Sequence, residues 1–172
     1  FQAVMDVELG FEPHNTVAWQ LNPSGDYETN EEFTLFFNTA ADRVASLPGV
    51  EAVGLVDALP LGRNRSWGFS VVGHEESEED GVDLHPHIVS AGYLEAMGTP
   101  LVEGRYLSQD DVAGSGQVVV VNESFVRRYF PGGSAVGQQL SFWQDEPWEI
   151  VGVVADTRHI SPESSSGLQV YF

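Results

Sequence analysis

The sequence contains no cysteine and no lysine. Without thiols it forms no disulfide, no thiolate metal site and no cysteine nucleophile, and the redox compartment stays open on this ground. Its seven strongly basic residues are all arginine, set against 26 carboxylates, for a formal charge of -19. A surface this negative repels phosphate backbones and anionic headgroups. That argues against nucleic acid as a partner and against polybasic docking on a membrane. No run approaches the roughly 18 consecutive apolar residues of a membrane-crossing helix. The opening FQAVMDVELGF lacks the basic start and apolar stretch of a signal peptide, and it lacks an initiator methionine. The chain is therefore expected to be a piece of a longer polypeptide. No internal repeat is visible.

What is present suffices for a core. Of 172 residues, 42% are apolar and 11% aromatic, and a globule of this size buries roughly 70% of its unfolded surface. The composition argues against wholesale disorder in spite of the charge. The most legible stretch is QVVVVNESFVRRYFPGG, residues 117–133. Val118 to Val121 are β-branched and suit a strand buried on both faces. Asn122 stands where an N-cap is wanted, and Glu123 follows at the positive end of a helix dipole. Phe125, Val126, Tyr129 and Phe130 recur at helical spacing, Arg127 and Arg128 fall near the carboxyl end, and Pro131-Gly132-Gly133 stops the helix. A phosphate cradle would place glycines between strand and helix, whereas here they come after it. The stretch predicts a plain strand-to-helix unit.

The remaining chain reads in the same terms. TVAWQL (16–21) alternates like a strand. Thr29 and Glu32 form a capping-box pair ahead of a helix whose stripe of Phe33, Phe36, Phe37, Ala40, Val44 and Leu47 demands burial. Val50 to Val56 is expected as a strand, as are Trp67 to Val72 and Leu84 to Ser90. Ser90 is expected to cap a short helix running to Met97 and ended by Gly98. Gln139 to Trp143 and Trp148 to Val154 predict a hairpin around QDEP, and LQVYF a last strand. Helices and strands intersperse without strict alternation, so the fold class is α+β.

Several constellations carry chemical potential, each with a plainer rival. Asp156, His159 and Ser161 are residue types of a hydrolase triad, yet they crowd one segment and Ser161 has no nucleophile elbow around it. His85 and His87 would share one face of a strand, a spacing metals use. No third ligand is fixed, and ordinary surface histidines are the favoured reading. The acidic run 75–80 lacks the glycine-centred pattern of a calcium loop and reads as solvated. Asp110 and Asp111 are expected at the surface, pairing locally with Arg105 for under about 1 kcal/mol. Trp67, Trp143 and Trp148 read as core or hairpin-face residues. No catalytic, cofactor-binding or metal-binding residue is assigned, and the residues by themselves describe a noncatalytic acidic domain.

Five segments in order take the reading further: GFEPHNTVAWQL, LPGVEAVGLVDALPL, VSAGYLEAMGTPLVEGRYLSQDD, VVVVNESFVRRYFPGGSAVGQQL and EIVGVVADTRH. Together they resemble the MacB-like periplasmic core domain of ABC-transporter permeases, in particular the FtsX-like permeases abundant in Acidobacteria and related bacteria. The resemblance covers nearly the whole chain. It implies an extracytoplasmic domain between the first and second transmembrane helices, built as a porter-like β-α-β lobe and a small α/β lobe called Sabre. Residues 14–72 with 165–172 would supply the porter-like lobe, incomplete relative to the family, and residues 84–160 the Sabre-like lobe. The resemblance implies no covalent chemistry and no cofactor. It implies transmission of ATP-driven movement to export of a substrate, with these partners: the transmembrane helices, a cytoplasmic ATPase, a second permease copy and a periplasmic adaptor. The alternative is a free-standing secreted ligand-binding module, and a hydrolase around His159 is a third reading.

Overall fold

The computed structural model describes residues 9–23, 29–59, 65–74, 84–111, 116–142, 146–158 and 166–172. Its helices are α1 (Asn30–Ala45), α2 (Tyr93–Ala96) and α3 (Glu123–Tyr129). Its strands are β1 (Ser70–Val71), β2 (Leu84–His87), β3 (Leu101–Gly104), β4 (Val118–Asn122), β5 (Gln139–Ser141), β6 (Trp148–Val154) and β7 (Leu168–Tyr171). The class is α+β, around one mixed sheet.

The valine run of β4 lies at the sheet's centre, as a strand buried on both faces should. β6 runs parallel to it on one side and β7 antiparallel on the other. The order is β1-β5-β6-β4-β7-β2, and β3 pairs β6 beyond the end of β5. Trp67 bridges Leu84 of β2, while Ser70 and Val71 pair with β5. One short segment thus touches both ends of the strand order and draws the sheet into a curl. Val119, Val121, Ile150, Val153 and Val170 face a core completed by Phe125 of α3. Val120, Val151, Val154 and Tyr171 face the opposite core, under Tyr93, Leu94 and Met97. Each fully buried valine contributes roughly 1.5 kcal/mol or more of transfer free energy.

The strand-to-helix unit forms as expected. Asn122 Oδ1 accepts from the Phe125 N–H at 3.2 Å, and Arg127 and Arg128 occupy the last turn of α3. Thr29 Oγ1 caps α1 by accepting from the Glu32 N–H at 3.2 Å. The hairpin forms too, with Gln139 opposite Glu149 and Leu140 opposite Trp148.

Other expectations are corrected. TVAWQL forms no strand and pairs with none among the described residues, and Val50 to Val56 contributes a single bridge, Val56 to Val89. The apolar stripe of α1 is only partly buried: Phe33 and Leu47 are 45% and 55% exposed, and no residue of the helix is fully buried. Its rings pack on one another, Phe33 and Phe36 each edge-on to Phe37. The N-cap of α2 is Gly92, at φ 84°, and not Ser90, whose hydroxyl is turned to another segment. The final strand forms as expected and is held by β2 and β4. All four of its residues are buried, so it needs a place inside the sheet.

Candidate functional site

No side-chain cluster in the described residues assembles a reaction centre; what the fold builds instead are joints. The first lies where residues 53–57 run antiparallel to residues 88–92. Ser90 N–H donates to Leu55 O at 3.0 Å, and Asp57 N–H to Ile88 O at 3.1 Å. Two side chains continue the ladder: Ser90 Oγ accepts from the Leu55 N–H at 2.8 Å and Asp57 Oδ1 from the Ile88 N–H at 3.1 Å. Two glycines permit the approach. A Cβ on Gly54 would lie 2.2 Å from Tyr93 Cα, and one on Gly92 would lie 2.6 Å from Val53 O. Asp57 also binds Arg65 at 2.6 Å, and the Arg65 guanidinium lies over the Trp67 ring. Burial pushes the Tyr93 phenol well above its usual range, helped by the nearby Tyr171 and Asp57.

The second joint centres on Asp156. Its Oδ1 accepts from Asn122 Nδ2 at 2.7 Å and from the Ser124 N–H at 2.8 Å. Its Oδ2 accepts from Ser124 Oγ at 2.8 Å and from Arg127 at 2.5 Å. The carboxylate thereby closes the amino end of α3. Asn122, fully buried, ties the same point to β7 through Gly167 O and the Gln169 N–H. Beneath it Gln169, Thr157 and Tyr171 hydrogen-bond one another, and burial pushes the Tyr171 phenol up to about 12. Gly10, at φ 80°, seats the segment Leu9–Glu12 on this point, since a Cβ there would lie 1.9 Å from Asp156 O.

A third close approach joins β3 to β6. A Cβ on Gly104 would fall 2.3 Å from Val151 O, and one on Gly152 would fall 2.0 Å from Arg105 O. Arg105 then forks onto Asp111, at 2.6 and 2.8 Å. These hydrogen bonds, with those from Ser108, hold the Asp111 carboxyl down at about 2.

The candidate residues fall as follows. Asp156 of the triad reading is committed to α3, while His159 and Ser161 lie outside the described residues, as do the acidic run 75–80 and Trp143. His85 and His87 are not surface residues but 4% and 3% exposed, since β2 is covered on both faces. His85 Nδ1 lies 3.1 Å from Arg65 O and His87 stacks on Tyr171. Asp111, not Asp110, takes Arg105. Trp67 and Trp148 pack against Phe142 and Phe172. The residues that reasoning from sequence missed are the glycines at the joints. Their signal was glycine inside a strand-like run, which marks close backbone approach.

A family profile for the MacB-like periplasmic core domain matches residues 6–172. The chain belongs to this family. Two relatives are macrolide export ATP-binding/permease proteins: MacB of Aggregatibacter actinomycetemcomitans, 38% identical over 64 residues, and MacB 1/2 of Paracoccus denitrificans, 34% identical over 83 residues. Those alignments take in 37% and 48% of this chain but 10% and 12% of the relatives, so the chain spans a small part of their length. The fold is that of the crystal structure of the periplasmic region of MacB from Actinobacillus actinomycetemcomitans. The TM-score is 0.55 at 22% identity, over 78% of this chain and 53% of that one. As a MacB-like periplasmic core domain the chain is a noncatalytic transporter component on the extracytoplasmic side of a membrane protein. No helix of the described residues is long and apolar enough to cross a membrane. The segments that carried the family resemblance converge on the joints: GLVD meets VSAGY, VVVVNES meets VVADT, and VEGRY meets VGVV.

Proposed function

We propose that this domain is a moving part of a MacB-like ABC permease, carrying motion from a cytoplasmic ATPase, through transmembrane helices, to export of a substrate. A second permease copy and a periplasmic adaptor complete the assembly. The porter-like lobe is drawn from residues 14–72 with 165–172 and the Sabre-like lobe from residues 84–160, and the pairing of β7 with β2 and β4 ties the two together. The observation that carries this reading is the joint between residues 53–57 and 88–92. A backbone ladder closed by Ser90 and Asp57, with two glycines at van der Waals limits, resists shear, and closely packed elements shift as bodies more readily than they deform. Force entering one lobe therefore reaches the other.

The test uses spin labels in a full-length permease otherwise free of cysteine, with Thr34→Cys on α1 and Gln138→Cys beside β5. Within one copy the separation should stay fixed between ATP-bound and ADP-bound states, while the Gln138→Cys separation between two copies should change. A constant separation between copies, or transport that survives deletion of the domain, would overturn the proposal. A copy that functions without the membrane-embedded remainder would favour the secreted binding module.

A further inference from the structure

A groove of about 500 Å³ runs between β3 and α3, floored by Val153 of β6 and walled by Val102, Val126, Phe130 and Pro131. It borders the second joint through Arg127 and the third through β3 and β6. β3 carries two residues against one of β6 between Leu101 and Glu103, so Val102 is the extra residue of a bulge. Bulges re-aim side chains, and this one leaves an apolar side chain 53% exposed at the groove's edge. All of β3 is exposed, and among the described residues no strand pairs its outer side.

The charges at the groove are asymmetric. Arg127 enters it but is already paired with Asp156. Glu103 is steadied at the rim by Ser134 Oγ at 2.6 Å. Glu123 is half-buried in the lining and makes no hydrogen bond or ion-pair contact to any described residue, although its charge is felt by Arg127, which is itself bound to Asp156. A partly desolvated carboxylate beside apolar walls favours a cation that arrives on an apolar stem, and the chain's charge of -19 steers such a cation in.

We propose that the groove is a docking site for an extended segment of a partner protein, one that presents bulky apolar side chains flanked by arginine or lysine. The apolar side chains fill the space over Val102, Val126 and Val153, and the cations meet Glu103 and Glu123. The bulge and the shortness of β3 disfavour simple strand addition, so side chains carry the recognition. The proposal does not depend on the transport reading.

The probe is a fluorescein-labelled nonapeptide alternating arginine with leucine and phenylalanine, titrated by anisotropy against the full-length polypeptide. Saturable binding is expected. Replacing the leucines and phenylalanines by serine should weaken it about tenfold or more, and so should Val102→Ser or the pair Glu103→Gln and Glu123→Gln. These groove positions are exposed or partly exposed, and an unchanged melting temperature confirms that each variant folds. The control pair Glu31→Gln and Glu51→Gln removes equal charge elsewhere and should leave affinity unchanged. Three outcomes overturn the proposal: no saturable binding, equal affinity for the serine peptide, or equal loss from the control pair. The last two would reduce the interaction to diffuse attraction by the acidic surface.

Discussion

Replacing Asp156 by alanine tests whether one carboxylate fastens α3 to the sheet. Three residues lose a partner. The Ser124 N–H at the start of α3 loses its acceptor, an end-cap effect of about 1 kcal/mol. Asn122, fully buried, keeps Gly167 O but loses its second acceptor, about 1 kcal/mol more. The Arg127 ion pair adds little, because that side chain is 61% exposed and exposed pairs contribute about 0–1 kcal/mol. The groups touch, so the losses are not strictly additive, and the sum is about 2–3 kcal/mol. Asp156→Asn keeps an oxygen for Ser124 and Asn122 but turns an amide toward Arg127 and should cost about 1 kcal/mol. Urea titration followed by tryptophan fluorescence reads both values, with the slope unchanged. The buried part resists screening, so most of the Asp156→Ala loss should persist in 1 M salt. An alanine variant within about 0.5 kcal/mol of the parent, or an asparagine variant as damaged as the alanine one, would refute the reasoning.

Gly152→Ala should destabilise by several kcal/mol, because its Cβ would sit 2.0 Å from Arg105 O with backbone on both sides; a melting temperature close to the parent's would count against the close approach. Gly54→Ala should loosen the joint with Tyr93, read as faster hydrogen exchange at the Leu55 and Ser90 amides, and unchanged protection there would be the contrary result. Tyr129→Phe should be neutral or stabilising, since the buried hydroxyl makes no hydrogen bond to any described residue and its removal relieves a desolvation cost of up to about 1 kcal/mol; a clear drop in melting temperature refutes it. Asp111 lies lower in the folded state, at about 2, than its ordinary 3.8. Its contribution is therefore complete above about pH 4 and fades as pH falls through about 2. With Arg105 half-exposed this amounts to roughly 1 kcal/mol after screening, and a stability gap to Asp111→Asn that stays flat from pH 5 to about 2 would contradict it.

Legibility followed the range of the interactions. The unit from Val118 to Tyr129 could be read because its signals are local: β-branched residues, an asparagine cap, helical spacing and a terminal Pro-Gly-Gly. The hairpin around QDEP was legible for the same reason. Alternation in TVAWQL reports only that a strand is sterically suitable, and pairing needs a partner from elsewhere in the chain. The stripe of α1 states that a face wants cover without saying what provides it. His85 and His87 looked like surface residues because one strand cannot reveal that β7 runs beside it with both faces buried. Asp156 was noticed for its neighbours in sequence, His159 and Ser161, whereas its work is with Asn122, Ser124 and Arg127, roughly thirty residues away and close only after β4 and β6 pair.

The joints explain why a domain without chemistry carries so specific a pattern of motifs. Enzymes constrain residues around a reacting atom; here the constraint falls where two backbones must meet closely. Gly54 and Gly92 serve one such meeting, Gly104 and Gly152 another, and Gly10 a third. Any side chain at these points forces the segments apart, and the polar groups beside them, Ser90, Asp57 and Asp156, would lose their partners together. A stiff body follows from residues that permit contact as much as from those that fill the core. If the domain moves as proposed, loss of one joint should weaken transport before it unfolds the sheet, because the central strands β4, β6 and β7 hold one another independently of residues 53–57.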